Sequence, residues 1–246
     1  RRLVFSHAQT IIFSEEVAKS GLVGEYIAPI LRFKEIRRSA HVMVVKGRAD
    51  EFLKENTPLL GSLVSEDLRL LVDQSLQTGF FPKVTLENLH TGLKSPFYNP
   101  IAPLAAVNDP NSFKKEGEPW GEEFKTGGTY VAGELPRLGK DKIELFGTAL
   151  FRADTMVGEL NGDETRYLLM ARGEFTRGFF TIQDPKRPDL IIPLDVRGTK
   201  PQVTVDFEDG LTRIELRVRL NLDLLAVHSG INYEDPDLKA FLEEYF

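Results

Sequence analysis

The chain lacks cysteine altogether and contains a single tryptophan among its 246 residues. The absence of thiols excludes disulfides, iron–sulfur clusters, cysteine nucleophiles and thiolate zinc sites. No apolar run approaches the roughly 18 to 20 residues that a membrane-spanning helix needs. What is present, 41% apolar and 28% charged residues, is the composition of a globular protein that buries a sizeable core.

An excess of positive charge is also missing. The formal net charge is -6 and the pI is near 5.4, whereas nucleic-acid binding requires a basic stripe that displaces counterions from phosphates. Two basic runs, at 32–38 and 186–187, are short and typical of a solvated surface. We therefore predict no nucleic-acid partner.

The N-terminal part alternates between strand and helix patterns. A short β-type run at 8–13 precedes helical spacing at 15–31, with Ser14 as the expected N-cap, and a continuous apolar strand follows at 40–45. A strand that is apolar on both faces is typical of a parallel sheet, so this order predicts a right-handed parallel crossover.

A helical segment and a long loop come next. Helices are predicted at 49–53, 65–77 and 85–93, with Ser65 as the N-cap of the second and Gly79 as its stop. Proline, glycine, asparagine and charged residues then dominate to about residue 141, which is typical of a linker or a functional loop.

From residue 143 the apolar period changes to two. Segments 143–152 and 156–160 predict a hairpin, and Asn161 with Glu164 predicts the capping box of a helix that runs to about Met170. A second hairpin turns at 208–210, and Asp235-Pro236 predicts the start of a helix over 238–246. The apolar face of this second hairpin is formed by Val203, Val205, Phe207, Ile214, Leu216, Val218, Leu220 and Leu222.

These patterns predict a mixed α+β fold. An N-terminal strand–helix–strand unit with a helical segment is expected at 1–110, a linker or long loop at 111–142, and a separate domain of antiparallel sheet packed with helices at 143–246. The chain opens without an initiator methionine and the last helix runs to its end, so we expect an excised part of a longer protein.

Chemistry-bearing residues do not form a recognisable constellation. The four histidines have no metal-ligand spacing, Ser6 and His7 would face opposite sides of a strand, and the glycines near 127–128 match no nucleotide-binding loop. The acidic residues near 232–237 lack the glycine and distal glutamate of a calcium loop. We predict no catalytic residue, no metal site and no cofactor.

Aromatic residues in the long loop are the candidates for partner contact. Trp120, with Phe113 and Phe124, is either tucked onto a domain surface or displayed as a binding anchor. Glu164 and Arg166 form either a functional pair or, more simply, a capping residue and an exposed helix arginine.

The stretch from Phe146 to Gly173 carries a family resemblance. It resembles the core motif of the C subunits of Ger-type spore germinant receptors, and a second segment, Phe5 to Ala18, is similar to the strand and helix entry of that family. The chain differs from the family pattern at Glu159, where an aromatic is usual, and at 170–171. The motif positions are Gly147-Thr148-Ala149, Phe151, Val157-Gly158, Leu160, Glu164-Thr165-Arg166 and Arg172-Gly173.

The resemblance implies a role in nutrient-triggered spore germination. The intact protein is then expected to be a lipoprotein on the outer face of the spore inner membrane, in a complex with an integral A subunit and a transporter-like B subunit. The family has no assigned chemistry, so the implied role is non-enzymatic and depends on protein contacts. Glu159 and Arg166 join the loop aromatics as possible partner-contact residues.

One alternative from another functional class stays open. The region around Trp120 between the two predicted domains could form a soluble module that binds a small-molecule germinant. Calorimetry or thermal shift against amino acids and sugars distinguishes it from a protein-contact subunit.

Overall fold

The computed structural model describes most of the chain, which divides into two compact units, 1–169 and 170–246. Among the described helices, none is long and apolar enough to cross a membrane. The described residues are 5, 8–57, 63–108, 129–135, 141–184, 186–187, 189–208, 210–227, 230, 232 and 235–236.

The first unit is built on one five-stranded mixed sheet. Its strands lie in the order β1-β2-β3-β4-β5, so neighbours along the chain are neighbours in space. The first three strands run parallel, and β4 and β5 are antiparallel to their neighbours. The bounds are β1 Thr10–Ser14, β2 His41–Val45, β3 Ile101–Val107, β4 Ile143–Arg152 and β5 Thr155–Leu160.

Seven described helices accompany this sheet. Six of them lie between β1 and β3, and the seventh follows β5 and continues into the second unit. The bounds are α1 Glu15–Lys19, α2 Val23–Ile30, α3 Ala49–Glu55, α4 Val64–Asp73, α5 Ser75–Thr78, α6 Leu86–Lys94 and α7 Gly162–Arg172.

The helix expected over 15–31 is two helices. Ser14 caps α1 as predicted, with the Val17 N–H donating to its Oγ at 3.3 Å. The backbone then turns through a left-handed conformation at Gly21, with φ 75°, which ends α1 and redirects the chain into α2. The predicted parallel crossover between β1 and β2 is confirmed.

The ends of α4, α5 and α6 agree only in part with the sequence prediction. Ser65 lies inside α4 rather than at its cap, because the helix begins one residue earlier and Leu63 occupies the cap position without a side-chain hydrogen bond. The helix predicted over 65–77 is two helices, α4 and α5, and Gly79, its predicted stop, ends the second of them. Thr85 caps α6 together with Asn88 in a reciprocal capping box.

Strand β3 lies in the stretch after residue 96 where the sequence pattern indicated no regular structure, just before the linker predicted at 111–142. Its residues are buried almost completely, and they pair with β2 on one side and β4 on the other. Pro103 lies in this strand, where it has no N–H to donate, and the β3–β4 register shifts between Pro103 and Ala105. Irregularities of this kind are among the places where a strand accommodates a residue that cannot donate.

One core joins the early helices to the late strands. Phe52 on α3 and Leu68 on α4 pack with Met43 of β2, Ala105 of β3 and Leu145 of β4 in a single buried cluster. Strands β4 and β5 therefore extend the sheet of the first unit, whereas the sequence placed them at the start of a second domain at residue 143. The boundary between the two compact units lies after Leu169, not at residue 143. Strand β4 belongs to the first unit because it pairs with β3.

The second unit contains a three-stranded antiparallel sheet, β6-β7-β8. Strand β6 was not predicted, and β7 begins well before the predicted hairpin strand. The expected helix over 238–246 lies outside the described residues, although Pro236 at its start is helical. The bounds of its strands are β6 Gly178–Gln183, β7 Ile191–Glu208 and β8 Leu211–Leu224. The two units together confirm the predicted mixed α+β class.

Candidate partner-contact surfaces

Three of the five predicted contact residues cannot be placed. Trp120, Phe113 and Phe124 lie outside the described residues. Their role in partner contact stays a prediction, and so does the alternative of a small-molecule site near Trp120. The remaining two, Glu159 and Arg166, belong to the first unit and have well-defined surroundings.

Glu159 forms an ion pair across the first unit. Its Oε1 lies 3.2 Å from Nζ of Lys46, which follows the end of β2, and both side chains are partly exposed. Strands β3 and β4 lie between β2 and β5 in the sheet order, so this pair links two non-neighbouring strands. A partly exposed pair of this kind contributes about 0.2 to 1 kcal/mol, and Glu159 remains accessible to a partner.

Arg166 is buried, not exposed as the sequence suggested. Only 6% of the residue is accessible, its Nε donates to the Thr78 carbonyl at 3.0 Å, and its Cζ lies 3.7 Å from the ring centroid of Phe80. Burial lowers the pKa of Arg166 to about 10, and the nearby Asp163 opposes this effect. Arg166 thus links α7 to the last residue of α5 and to Phe80 just beyond it. It presents little surface to a partner.

The predicted capping box of α7 is present. The Asn161 N–H donates to Oε2 of Glu164 at 2.9 Å, and the Glu164 N–H donates to Oδ1 of Asn161 at 2.8 Å. Two donors that the helix start would leave unpaired are thus satisfied reciprocally. Glu164 is therefore a structural residue.

Other residues of the motif from Phe146 to Gly173 hold β4 and α7 together. The hydroxyls of Thr148 and Thr165 form a buried hydrogen bond of 2.9 Å, and the ring of Phe146 stacks on Phe80 at 4.7 Å. A Cβ at Gly162 would overlap the Phe146 ring. These motif residues thus specify close packing of β4 against α7.

The second unit presents a long two-stranded ribbon, residues 199–208 of β7 paired with 211–220 of β8. Strand β6 pairs only with β7 residues 191–196, so within the described sheet β6 does not reach the ribbon. The register brings Val203 opposite Leu216 and Val205 opposite Ile214. Because side chains alternate along a strand, these apolar residues share one face, as predicted.

This apolar ribbon face is exposed to solvent. Phe207 is 79% accessible and Ile214 is 68% accessible, and the other exposed apolar residues of the face are Val203, Val205, Leu216 and Leu220. Isolated two-stranded hairpins are only marginally stable in water, and contiguous exposed apolar patches of this kind mark interaction sites. The sequence pattern predicted which residues share this face. The structure adds that no described element packs on it.

The opposite ribbon face is polar and rich in charge. Lys200 lies opposite Arg219, Gln202 opposite Arg217, and Asp206 opposite Arg213. The ribbon is therefore amphipathic, with one face suited to water and the other to an apolar partner.

A buried carboxylate anchors the base of the ribbon. Asp195 on β7 is 1% exposed and receives a bidentate pair of hydrogen bonds from Arg177, at 2.9 and 2.8 Å, and one from Arg197 at 3.0 Å. Arg197 also contacts Asp223 of β8 at 2.9 Å. The hydrogen bonds from Arg177, followed by the one from Arg197, lower the pKa of Asp195 to about 2, against the opposing effect of burial.

We expect this anchor to make the second unit sensitive to acid. The pKa of Asp195 is lower in the folded state than its ordinary value of 3.8, so the stabilisation is complete above about pH 4 and is lost as the pH falls through about 2. The protection factors of the β6 and β7 amides, which are exchange rates corrected for the intrinsic effect of pH, should fall over that interval, and Asp195→Asn should show low protection already at neutral pH. An unchanged exchange profile in Asp195→Asn would contradict this role.

No group of three or more histidine, aspartate or glutamate side chains that could hold a metal ion occurs within the described parts of the chain. Of the four residues near 232–237 that could have been ligands, Glu234 and Asp237 lie outside those parts.

The fold is similar to a solved structure described as the GerBC protein. The TM-score is 0.61 at 15% sequence identity, over 97% of this chain and 60% of that chain. Spore germination protein B3 of Bacillus subtilis (strain 168) is 22% identical over 242 residues, which represent 97% of this chain and 54% of that protein. The chain thus spans about half the length of this relative.

Two family models match consecutive parts of the sequence. Residues 1–107 match the spore germination protein N-terminal domain, and residues 146–246 match the C-terminal domain described as spore germination B3/GerAC like. The chain belongs to this family of spore germination proteins, the C subunits of Ger-type germinant receptors. The resemblance inferred from the motif at 146–173 is therefore confirmed.

Proposed function

We propose that this chain is part of a receptor subunit that supports spore germination through contacts with other proteins and carries out no chemistry of its own. Family membership supports the setting. The motif supports the mode of action, because four of its residues have structural roles: Thr148, Glu164, Thr165 and Arg166 each bind another part of the first unit or cap its last helix.

The apolar ribbon face is the observation that carries the protein-contact part of the proposal. Burial of apolar area is worth about 25 cal/mol per Å², so a face that contains Val203, Val205, Phe207, Ile214 and Leu216 offers a strong driving force for association. Its partners in the proposal are the integral A and B subunits of the same receptor. The intact protein is held by a lipid anchor on the outer face of the spore inner membrane.

Site-specific photo-crosslinking in spores tests this proposal. A photoreactive amino acid at Ile214 in the full-length protein should crosslink to the A or B subunit, and the same group at Arg217 should not, because Arg217 lies on the polar face of the same strand. Crosslinks from Ile214 that stay entirely within its own chain would show that the face belongs to the subunit's own core. That result would refute the ribbon as a partner-contact surface.

A further inference from the structure

Three segments of the first unit meet at one edge of its sheet. Residue 5 precedes β1, residues 31–40 lead into β2, and residues 95–100 lead into β3. Because these three strands are parallel, their starting ends lie at the same edge, which we call the amino edge. The Phe5 and Phe33 rings lie 6.3 Å apart there.

Helices α2 and α6 complete the amino edge. The Leu86 N–H donates to the Ala40 carbonyl at 2.8 Å, which places the start of α6 beside the start of β2. Helix α2 packs against α6. The amino edge therefore comprises α2, α6 and the three segments that lead into the parallel strands.

Exposed aromatic side chains concentrate at the amino edge. Phe97 is 98% accessible and Phe33 is 55% accessible, and Phe5, Tyr26 and Tyr98 are also exposed. Among the described residues of the first unit, the other exposed aromatic is Tyr167. Single exposed apolar residues are common, but a group of aromatics on one edge marks an interaction surface.

Cations flank one of these aromatics, Phe33, along the chain. Arg32, Lys34 and Arg37 are exposed and form no ion pair with any residue that the structure describes. Arg38 is paired with Glu87 at 3.1 Å. The basic run at 32–38, which the sequence suggested to be a plain solvated surface, therefore supplies unpaired positive charge in a chain whose net charge is -6.

We propose that the amino edge binds the surface of an anionic lipid bilayer. Aromatic rings settle at the level of lipid headgroups, and nearby lysines and arginines are attracted by the negative surface potential. Phe33 and Phe97 enter the headgroup layer, while Arg32, Lys34 and Arg37 face lipid phosphates. An acidic protein or polymer would match the cations but gives no role to a phenylalanine that is almost entirely in water.

Vesicle flotation of the chain tests the charged part of the proposal. The chain should float with vesicles that contain about 30% phosphatidylglycerol at low salt and should dissociate near 0.5 M salt, roughly the level at which surface charges are screened. Each cation near such a surface contributes roughly a factor of five. The triple variant R32E/K34E/R37E should therefore bind at least about a hundredfold more weakly.

A matched control separates the amino edge from general charge. The triple variant R213E/R217E/R219E changes the net charge equally, but on the polar face of the ribbon, and should bind vesicles like the original chain. Equal loss in both triple variants, or no flotation of the original chain, would overturn the proposal. Retention on heparin without flotation would instead assign the patch to an acidic polymer and would also overturn it.

Insertion of the aromatics has a separate readout. Phe97→Trp in a Trp120→Phe background should lose fluorescence with lipids that carry brominated tails, whereas Tyr167→Trp in the same background should not. Equal quenching at both positions would refute insertion at the amino edge. Failure of either lipid experiment would leave the crosslinking test of the ribbon unaffected.

Discussion

Replacing Gly147 by alanine is expected to lower the free energy of unfolding of the first unit by about 3 to 5 kcal/mol. Gly147 has φ 84°, a conformation that residues with a Cβ rarely adopt, and its added Cβ would overlap the backbone oxygen of Leu160. Its N–H also donates to the Phe80 carbonyl at 2.8 Å, so the backbone cannot rotate away without losing that bond. Chemical denaturation followed by far-UV circular dichroism measures the change.

Gly158 provides the control within the same hairpin. A Cβ at Gly158 meets nothing within 4 Å, so Gly158→Ala should change stability by less than about 1 kcal/mol. Because whole domains are stable by only about 5 to 15 kcal/mol, the two variants should be easy to distinguish. Similar losses in both would show that Gly147 is not constrained by its conformation and by Leu160.

Replacing Arg166 by alanine is expected to cost about 2 to 4 kcal/mol. The change removes a cation over the Phe80 ring, a hydrogen bond to the Thr78 carbonyl and much of a buried side-chain volume. Arg166→Met should recover part of this loss, because methionine fills volume without the cost of burying a charge. Chemical denaturation curves of the unsubstituted chain, Arg166→Met and Arg166→Ala should give free energies of unfolding that decrease in that order.

The neighbouring residue tests whether the effect belongs to the site or to the helix. Tyr167 lies next on α7 and is exposed, so Tyr167→Ala should change stability by no more than about 0.5 kcal/mol. If Arg166→Ala were no less stable than Tyr167→Ala, the contacts of Arg166 with Thr78 and Phe80 would not stabilise the first unit, and a role in partner contact would be the better interpretation of Arg166.

Local rules explain what the sequence predicted well. The hairpin of β4 and β5, the Asn161–Glu164 capping box and the two faces of the ribbon each depend on spacing within a few residues, and all are present. The α+β class follows from the same local periods of two and 3.6.

Strand β3 was missed because its evidence is not local. Its residues, rich in alanine and interrupted by Pro103, have weak strand propensity and lie beside a region rich in turn formers. Pairing with β2 and β4 on both sides stabilises the strand. Tertiary contacts therefore override the local preference.

The burial of Arg166 and the exposure of the ribbon are likewise tertiary properties. Arg166 is covered by Thr78 and Phe80, which lie far away in the sequence. The aromatic and basic residues of the amino edge are spread over three segments, and only the parallel order of β1 to β3 brings them together. A single sequence shows such residues one by one, without their neighbours.

The position of β4 in the sheet has a consequence for biosynthesis. When β3 leaves the ribosome, its second edge has no partner until β4 and β5, about fifty residues later, have been made, which takes a few seconds at roughly 5 to 20 residues per second. During this interval the nascent chain carries an apolar strand edge open to mispairing. The first unit therefore cannot complete its core, which contains Leu145 of β4, until the chain beyond β3 has emerged.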